Sequence, residues 1–442
     1  MHYILCVEIQ NLERRSPLEN GSLGTGESQM NRVVITGMGA ICGLGHSLDE
    51  VWGNIIEGKS GISKIENSPI EKLAVQIGGE VKNFEIDPEI LDPKEATRYD
   101  KFVHFALHSG YEAWKDAGLE NHNYAPEKIG SILGVGMGGF PEIERTYETF
   151  MAKGPRRISP FFIPGIIPNM ATGLLSIKLD LQGVNYTIAS ACASAAHAIS
   201  AAAFEIMAGR QDVMITGGAE SVLSNLPMGG FISMKALSKS VEEPEKASRP
   251  FDVDRNGFVI GEGAGVLVLE NYESAKARGA KIYAEVVGHG TSSDAHHITA
   301  PHPEGEGAYK CMKMCIESAG VDPAKVGYVN AHGTSTPLGD LGETKAIKKT
   351  FGDHAKNMYV SSTKSMIGHL LGAAGGVESI FCAMALHKGI LPPTINLDNQ
   401  DPECDLDYVA NQAKNVQVEY ALNNSFGFGG TNSSLLLKRY TE

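Results

Sequence analysis

The stretch TIASACASAAHAIS, residues 187–200, places Cys192 where a β-rich run gives way to an Ala-rich run. Cysteine often packs inertly in a core, so tight packing of a strand against a helix is one interpretation, and His197 is interpreted in that way. The alternative for Cys192 is chemical. A side chain that leads into a helix lies near unsatisfied N–H groups and the positive end of the helix dipole, which favour a thiolate. The position therefore predicts a nucleophile whose own N–H could help to stabilise an oxyanion.

Two histidines stand at the ends of strand-like runs in the second half of the chain. His332 ends a strand in YVNAHGTSTPLGD, and His369 precedes a Gly/Ala-rich helix in STKSMIGHLLGAAGGVES, between Lys364 and Glu378. A single histidine in such a setting is more often structural. Two of them indicate a site, because ligands in α/β folds gather at the carboxyl ends of strands.

One cysteine and two histidines suit a particular acyl chemistry. A cysteine can hold an acyl group as a thioester, which divides the transfer into two easier steps. Two neutral imidazoles can donate hydrogen bonds to the carbonyl of a second thioester, and so stabilise the enolate that forms when a neighbouring carboxylate leaves as carbon dioxide. The combination predicts the formation of a carbon–carbon bond.

Strands that end near one another are needed to bring these residues together. From Asn31 onward, β-branched runs such as RVVITG, NYTIAS and DVMITGG alternate with helical patterns, and later VGYVNAHG and MYVSSTKS resume the alternation. This is typical of an α/β architecture with sheets buried between helices, and it predicts two halves joined near residues 280–290. Residues 1–29 differ, because LENGSLGTGESQ has the composition of a linker, and we expect a flexible N-terminal extension there.

The composition argues against nucleic-acid and membrane partners. Of the 442 residues, 42% are hydrophobic and 20% are charged, and no apolar run has the length that spans a bilayer. A formal charge of −14 disfavours phosphate contacts, which need clustered Lys and Arg. The seven cysteines include no CxxC pair, so we expect reduced thiols and a cytoplasmic location.

Two further sequence patterns are only weak evidence for binding sites. TGMGAICGLG begins like a dinucleotide fingerprint, but Cys42 stands at its third glycine position, so nicotinamide binding is not expected. Cys311 and Cys315 have the i,i+4 spacing of metal ligands, but no nearby pair of histidines completes the set. We interpret both as helix-core residues and expect no metal and no cofactor.

Four motifs in order, SACASAAH, NAHGTSTPLGD, SSTKSMIGHLLGAAGGVES and NNSFGFGGTN, resemble the signatures of the β-ketoacyl-acyl carrier protein synthases, members of the thiolase-like superfamily. The resemblance runs from about Met30 to the C-terminus, and GPRRISPFFIP, SSDAHHITAP and LPPTINLDN are most similar to the elongating, type II members. It implies a thiolase-like fold of two duplicated α/β halves in α-β-α-β-α layers. The halves are expected at residues 30–283 and 284–442, after the extension at 1–29.

The resemblance also implies a role for each candidate residue. Cys192 is expected to carry the acyl group, and His332 and His369 to assist decarboxylation and condensation. Lys364 and Glu378 match the supporting charged residues of the family.

Three more positions bear on the acyl chain by the same resemblance. Phe428, in GFGFGG, matches a gating aromatic whose N–H is expected to complete the oxyanion hole with that of Cys192, and a tight hairpin turn is compatible with that role. Met137 aligns with the residue that sets the depth of the acyl pocket, where isoleucine is common in the family. Phe162 aligns with a pocket wall near a dimer partner. Because methionine adapts its shape, long acyl chains are expected to enter.

The implied partners are an acyl carrier protein and a second copy of the chain. An acidic carrier needs a basic patch despite the overall negative charge. Thr97 departs from the family pattern, since some relatives have arginine there. The positions that resemble the carrier-docking surface are Lys94, Arg98, Lys101, Arg156, Arg157 and Lys235.

The predicted reaction is a decarboxylating Claisen condensation. An acyl-acyl carrier protein and a malonyl-acyl carrier protein would give a 3-oxoacyl-acyl carrier protein, carbon dioxide and free carrier, in fatty-acid elongation. The same residues serve ketosynthases of polyketide or specialised lipid pathways, so that alternative stays open. A non-catalytic chain-length subunit is disfavoured, because such relatives usually lose the active cysteine.

Overall fold

The computed structural model describes residues 30–441. The extension expected at residues 1–29 lies outside the described residues. Within residues 30–441 the strands are β1 (Val33–Cys42), β2 (Ser63–Lys64), β3 (Ile77–Gly78), β4 (Ile129–Gly134), β5 (Asn185–Ile188), β6 (Val213–Glu220), β7 (Gly263–Asn271), β8 (Ala284–Ser293), β9 (Val326–Asn330), β10 (Tyr359–Ser361), β11 (Ile390–Leu391), β12 (Lys414–Asn415), β13 (Tyr420–Gly427) and β14 (Thr431–Arg439).

The helices connect these strands. The α-helices of the described region are α1 (Leu48–Ile56), α2 (Pro93–Ala96), α3 (Lys101–Asp116), α4 (Phe140–Lys153), α5 (Phe162–Ile166), α6 (Met170–Leu179), α7 (Ser194–Met207), α8 (Asn225–Ser233), α9 (Tyr272–Ala277), α10 (Glu306–Ala319), α11 (Pro337–Phe351), α12 (Lys364–Ile367) and α13 (Ala374–Lys388). Short 3-10 helices span Pro126–Lys128, Pro155–Arg157, Pro244–Lys246, Pro323–Lys325, Gly352–Asn357 and Leu371–Ala373. No helix within residues 30–441 is long and apolar enough to cross a membrane.

Ten strands form one sheet in the order β10-β9-β13-β14-β8-β1-β7-β6-β4-β5. The sheet changes from one half to the other at a short antiparallel pairing, where Val33–Ile35 of β1 meet residues 284–286 of β8. From this junction outward, each half has two antiparallel steps followed by two parallel steps. The strand order along the chain is also the same in both halves. This repeated topology confirms the two duplicated α/β halves.

The two halves enclose a central helical layer. Helices α7 and α13 contact each other and strands of both halves, α3 and α6 cover the outer face of the first half, and α10 and α11 cover that of the second. Residues 374–386 of α13 are all buried, which is typical of a helix surrounded by protein. The arrangement confirms the α-β-α-β-α layers.

Glycines let α13 approach the sheet directly. A Cβ on Gly265 of β7 would lie 2.4 Å from the backbone nitrogen of Val377, and a Cβ on Gly376 would lie 2.5 Å from the carbonyl oxygen of Gly265. Both distances are too short for any side chain, so this contact needs glycine on both elements. The Gly-rich run LLGAAGGVES therefore fixes α13, and with it Glu378, against the centre of the molecule.

The six cysteines within residues 30–441 are free and buried, as predicted for core residues. Cys311 and Cys315 are buried on α10, which confirms their interpretation as helix-core residues. Cys42, at the end of β1, is a buried free thiol.

Candidate active site

A cavity of about 750 Å³ opens where the carboxyl ends of strands from both halves meet. Its wall contains Cys192, His332, His369, Phe428 and Met137. These residues come from segments up to 291 positions apart (428 minus 137), and the sheet brings them to one place. Among residues 30–441, no group of three or more His, Cys, Asp or Glu side chains is arranged to hold a metal ion.

Cys192 occupies the strand-to-helix corner, between the end of β5 and the start of α7. The corner is tight, since Ala191 adopts a φ of 49°, in the left-handed region that residues with a Cβ rarely occupy. His197 of α7, which was interpreted as a packing residue, also forms a hydrogen bond: its Nδ1 lies 2.7 Å from the Ser190 hydroxyl. The Ser190 N–H donates to the Ser194 hydroxyl at 2.9 Å, so polar contacts on both sides hold the corner in shape.

The sulfur of Cys192 is a thiol rather than the resting thiolate that its place before a helix suggested. Burial raises the pKa of the Cys192 thiol to about 11, although the charge of Lys364 lowers it. The expectation of a resting thiolate is wrong, because loss of hydration outweighs the favourable contacts. The backbone N–H groups of Phe428 and of Cys192 itself both interact with the sulfur. An acyl carbonyl bonded to this sulfur would therefore find two N–H donors beside it.

Phe428 begins the turn between β13 and β14, where Gly427 pairs with Thr431. Gly429 and Gly430 have φ values of 83° and 70°, which the turn requires and which glycine adopts without strain. The hairpin interpretation of GFGFGGTN is confirmed, and the turn presents the Phe428 N–H to the cavity.

The two histidines face each other, with ring centroids 5.2 Å apart and planes at 86°. His332 follows β9, and its backbone N–H donates to Glu343 Oε1 at 2.9 Å. His369 is held by its backbone N–H, which donates to the Val259 carbonyl at 2.7 Å. Burial, together with the charge of Lys364, lowers the pKa of both rings well below the usual range. Both imidazoles are therefore neutral at physiological pH.

One hydrogen bond identifies the tautomer of His369. The backbone N–H of Leu371 donates to His369 Nδ1 at 3.3 Å. In a neutral ring only one nitrogen carries a proton, so the proton of His369 lies on Nε2. His369 Nε2–H is then free to donate a hydrogen bond to an oxygen in the cavity.

Lys364 and Glu378 form a buried ion pair behind the histidines, outside the cavity wall. Lys364 is 1% exposed and Glu378 is fully buried. Burial raises the pKa of the Glu378 carboxyl to about 7, while the charge of Lys364 acts in the opposite direction. The pair places one positive charge close to both imidazoles, and this charge helps to keep them neutral.

Two buried carboxylates of the site are absent from the residues that the sequence pointed to. Glu343 on α11 accepts the N–H groups of His332 and Gly333, and so orients the first histidine. Glu220, the last residue of β6, lines the cavity, and burial raises the pKa of its carboxyl to about 7. An acidic residue at the end of a continuously buried strand, as in DVMITGGAE, is the signal that could have identified Glu220.

The two residues expected to shape the acyl pocket are placed differently. Met137 lines the cavity and belongs to the same apolar cluster as Cys192 and Leu371. Phe162, at the start of α5, is half-exposed and does not line the cavity of the single chain. A role for Phe162 in the pocket would therefore need a second copy of the chain.

The six residues expected to dock a carrier are all exposed. Lys235 lies at the cavity wall, next to Met234. The Arg98 guanidinium lies over the Phe161 ring, 4.3 Å from its centroid, which connects the start of α3 with the α5 region. The remaining positions, on the surface around α2 and before α5, are Lys94, Lys101, Arg156 and Arg157.

Comparisons with known proteins agree with this geometry. Residues 30–275 match the family model described as "Beta-ketoacyl synthase, N-terminal domain", and residues 283–398 match "Beta-ketoacyl synthase, C-terminal domain". A protein of Coxiella burnetii named 3-oxoacyl-[acyl-carrier-protein] synthase 2 is 49% identical over 412 residues, which cover 93% of this chain and 99% of that protein. A Staphylococcus aureus protein of the same name is 49% identical over 413 residues, with the same coverage.

Solved structures show the same fold. A β-ketoacyl synthase from Burkholderia phymatum superposes with a TM-score of 0.86 at 35% identity, covering 93% of this chain and all of that one. A type II polyketide ketosynthase, solved with its acyl-carrier protein and bound to a hexaketide, superposes with a TM-score of 0.87 at 32% identity and the same coverage.

Proposed function

Because this chain belongs to the β-ketoacyl synthase family, we propose that it is an acyltransferase that condenses an acyl-acyl carrier protein with a malonyl-acyl carrier protein, with loss of carbon dioxide, in fatty-acid elongation. The observation that carries the proposal is one cavity with a thiol, two neutral imidazoles and two backbone N–H groups beside the sulfur. The relatives at 49% identity are named 3-oxoacyl-[acyl-carrier-protein] synthase 2, after the product of this reaction.

The first step transfers the acyl group to Cys192. The sulfur attacks the thioester carbonyl, the bond between the carbonyl carbon and the carrier sulfur breaks, and the proton of the thiol leaves with the carrier. The N–H groups of Cys192 and Phe428 stabilise the negative charge that develops on the carbonyl oxygen. Because the thiol has a pKa of about 11, it is protonated at rest and has to lose its proton in this step.

The second step uses the histidines. The carboxylate of the malonyl group leaves as carbon dioxide, and its electron pair forms an enolate on the malonyl thioester. Nε2–H of His369 donates to the enolate oxygen, and His332, 5.2 Å away between ring centroids, supplies the second neutral ring. The enolate carbon then attacks the acyl carbonyl, and the Cys192 sulfur leaves and takes up a proton.

The buried ion pair supports this chemistry indirectly. Burial and, to a smaller extent, the charge of Lys364 keep both rings neutral, and the neutral His369 ring can donate a hydrogen bond from Nε2–H. Glu378 neutralises Lys364 and fixes its position. We assign both as positioning residues, since neither lines the cavity.

The partner of the reaction is an acyl carrier protein. The exposed basic residues around α2, α5 and the cavity mouth, including Arg98 and Lys235, support docking of an acidic carrier against a chain of formal charge −14. We place the reaction in the cytoplasm, and we divide the chain into functional halves at residues 30–283 and 284–442.

A homodimer is the second part of the proposal. Strand β5 is an edge of the ten-stranded sheet and has no neighbour on its outer side within the described chain. Tyr186 on this strand, Ile177 on α6 and Phe204 on α7 are large apolar residues that are 41%, 73% and 42% exposed. An open edge with apolar neighbours supports pairing with a second copy. The second copy would place its own Phe162 near the pocket of the first. Light scattering of the protein in solution tests whether the two copies associate.

A ketosynthase of a polyketide pathway is the alternative. The type II polyketide ketosynthase described above is 32% identical to this chain, below the 49% of the 3-oxoacyl-[acyl-carrier-protein] synthase 2 relatives, so elongation is favoured.

The reaction is tested by incubating the protein with acyl and malonyl carrier proteins and measuring the product by mass spectrometry. We expect a 3-oxoacyl carrier two carbons longer than the acyl substrate, and none with the Cys192→Ala variant. Cys42→Ala is the matched control, because Cys42 is also buried but lies outside this cavity. Wild-type rates in Cys192→Ala would contradict the assignment of the nucleophile.

A further inference from the structure

Glu220 is a fully buried carboxylate that binds two separate loops of the cavity. Its Oε2 accepts the N–H of Gly136 at 2.8 Å and the N–H of Gly372 at 3.2 Å. Met137 and Gly138 donate to the same carboxylate, each at 3.2 Å. One side chain therefore holds four backbone N–H groups, three from the loop after β4 and one from the loop before α13.

The two loops touch each other as closely as backbones allow. A Cβ on Gly372 would lie 2.2 Å from the nitrogen of Gly136 and 2.6 Å from Glu220 Oε2. A Cβ on Gly136 would also lie 2.6 Å from Oε2. Glycine at both positions is thus a requirement of the contact, and the carboxylate fills the space that remains.

Each loop carries a residue of the proposed reaction. Met137, in the first loop, lines the part of the cavity next to Cys192. In the second loop, Leu371 adopts a φ of 49° and donates its N–H to His369 Nδ1, which sets the tautomer of that ring. The carboxylate of Glu220 bonds to the N–H of Gly372, the next residue in the chain.

We propose that Glu220 is a positioning residue that joins the acyl-pocket wall at Met137 to the loop that sets the tautomer of His369, so that acyl-chain selection and enolate formation depend on one carboxylate. The inference rests on the proposed function. A carboxylate suits this position because its ionised form is an acceptor only, and the four N–H groups that donate to it favour that form against burial, which raises its pKa to about 7.

The chemistry of an amide makes the proposal testable. In Glu220→Gln, one oxygen becomes an NH₂ group that would face N–H donors of at least one loop, so that loop has to move away. The side-chain volume hardly changes. The substitution therefore tests the acceptor role of Glu220 and leaves its packing in place.

The experiment measures two quantities on folded protein. The first is the rate at which the enzyme decarboxylates malonyl-acyl carrier protein, which needs His369. The second is the ratio of the Cys192 acylation rates with hexanoyl and hexadecanoyl carriers, which depends on the pocket at Met137. In Glu220→Gln we expect the decarboxylation rate to fall between about tenfold and a hundredfold, and the acylation ratio to change by about fivefold or more, because a misplacement of about 1 Å can lower a rate about a hundredfold.

The matched control is Glu262→Gln. Glu262 is also a buried carboxylate, 2% exposed, but its partners are the Val81 N–H and the Ser221 hydroxyl rather than the two loops. We expect both quantities to stay within about twofold of wild type in this control, since the Glu262 carboxylate bonds to neither of the two loops. A general loss of stability would affect the two variants alike.

Gly372→Ala tests the same joint without altering the carboxylate. Its methyl group would collide with the Gly136 nitrogen, and we expect the same pair of changes as in Glu220→Gln. Gly173→Ala on α6, where a Cβ meets nothing within 4 Å, is its control. Gly372→Ala decides the question if Glu220→Gln does not fold.

Three outcomes are distinguishable. Changes in both quantities support the inference. A change in only one quantity, or in neither, overturns it, because a joint between the loops has to transmit to both. Wild-type protein that forms no 3-oxoacyl product overturns the proposed function itself, whatever the variants do.

Discussion

Replacing Lys364 with methionine is expected to destabilise the protein by an amount that grows with pH. The ion pair with Glu378 is buried on both sides, with Lys364 1% exposed and Glu378 fully buried. Methionine keeps much of the length of the side chain and removes the charge. The Glu378 carboxyl then has no cation beside it and can remain buried only in its protonated form.

The magnitude follows from the pKa of Glu378. Its ordinary value is 4.5, and burial raises it to about 7 in the folded wild type despite the opposing effect of Lys364. Without Lys364 the folded pKa rises further. A group whose folded pKa is raised contributes stability at low pH and loses it as the pH rises through the folded value. Below about pH 7, the contribution of Glu378 to the free energy of unfolding therefore changes with pH in the same way in wild type and variant. Above about pH 7, the variant loses about 1.4 kcal/mol of this free energy per pH unit more than wild type. The additional loss reaches about 2 to 3 kcal/mol near pH 9.

Urea unfolding at pH 6 and pH 9 measures this difference. Trp52 and Trp114 are 6% and 7% exposed, so tryptophan fluorescence reports loss of the core. The control is the double variant Lys364→Met with Glu378→Gln, whose amide does not titrate. Relative to wild type, we expect its destabilisation to fall by about 1.4 kcal/mol between pH 6 and pH 9, because only wild type loses stability as Glu378 ionises up to its pKa of about 7. Equal destabilisation of Lys364→Met at pH 6 and pH 9 would refute the reasoning, since it would mean that loss of Lys364 does not raise the folded pKa of Glu378 further.

Three further predictions concern the thiol, the pocket and the carrier surface. Alkylation of Cys192 by iodoacetamide, followed by peptide mapping, is expected to accelerate about tenfold per pH unit from pH 7 to pH 10, because the thiol has a pKa of about 11; a plateau near pH 8 would contradict this. Met137→Trp is expected to lower turnover with hexadecanoyl carrier relative to hexanoyl carrier, since the larger ring fills the cavity beside the sulfur, and an unchanged hexadecanoyl rate would show that Met137 does not set the depth. Arg98→Glu is expected to raise the KM for the acyl carrier about tenfold with little change in kcat. Lys325→Glu is the control for Arg98→Glu, because Lys325 directly precedes β9, at the end of that strand away from the cavity. Equal effects of both substitutions on KM would argue against a docking surface near α3.

Local sequence pattern was sufficient for the class of the fold but not for its connections. Strands β1, β6 and β7 are buried almost throughout, and continuous runs such as RVVITG and DVMITGG identify such strands well. The strand order and the junction of β1 with β8 could not be predicted from pattern, because pairing between distant strands depends on packing across the whole core. Close approaches such as Gly265 against Val377 are equally invisible until both elements are in place.

The sequence likewise identified some residues of the site and not others. Cys192 and His332 could be identified because each follows a strand. The prediction that His369 also stands at a strand end is wrong, since it follows α12 (Lys364–Ile367). The individual roles of the three residues stay proposals that the cavity supports. Glu220 was missed because its partners are backbone N–H groups, which no residue type reveals. The expectation of a resting thiolate at Cys192 was wrong because the helix end is visible in the sequence, whereas the loss of hydration at the corner is not.

The most direct test of the central claim is a single turnover that follows the acyl group itself. The protein is first acylated with a hexanoyl carrier, separated, and mixed with malonyl carrier, while the mass of the peptide that contains Cys192 and the release of carbon dioxide are measured together. We predict that the hexanoyl group lies on Cys192 and then disappears, while carbon dioxide and a 3-oxooctanoyl carrier form in equal amounts. A hexanoyl group on any other residue, or 3-oxooctanoyl product while Cys192 stays acylated, would contradict the account.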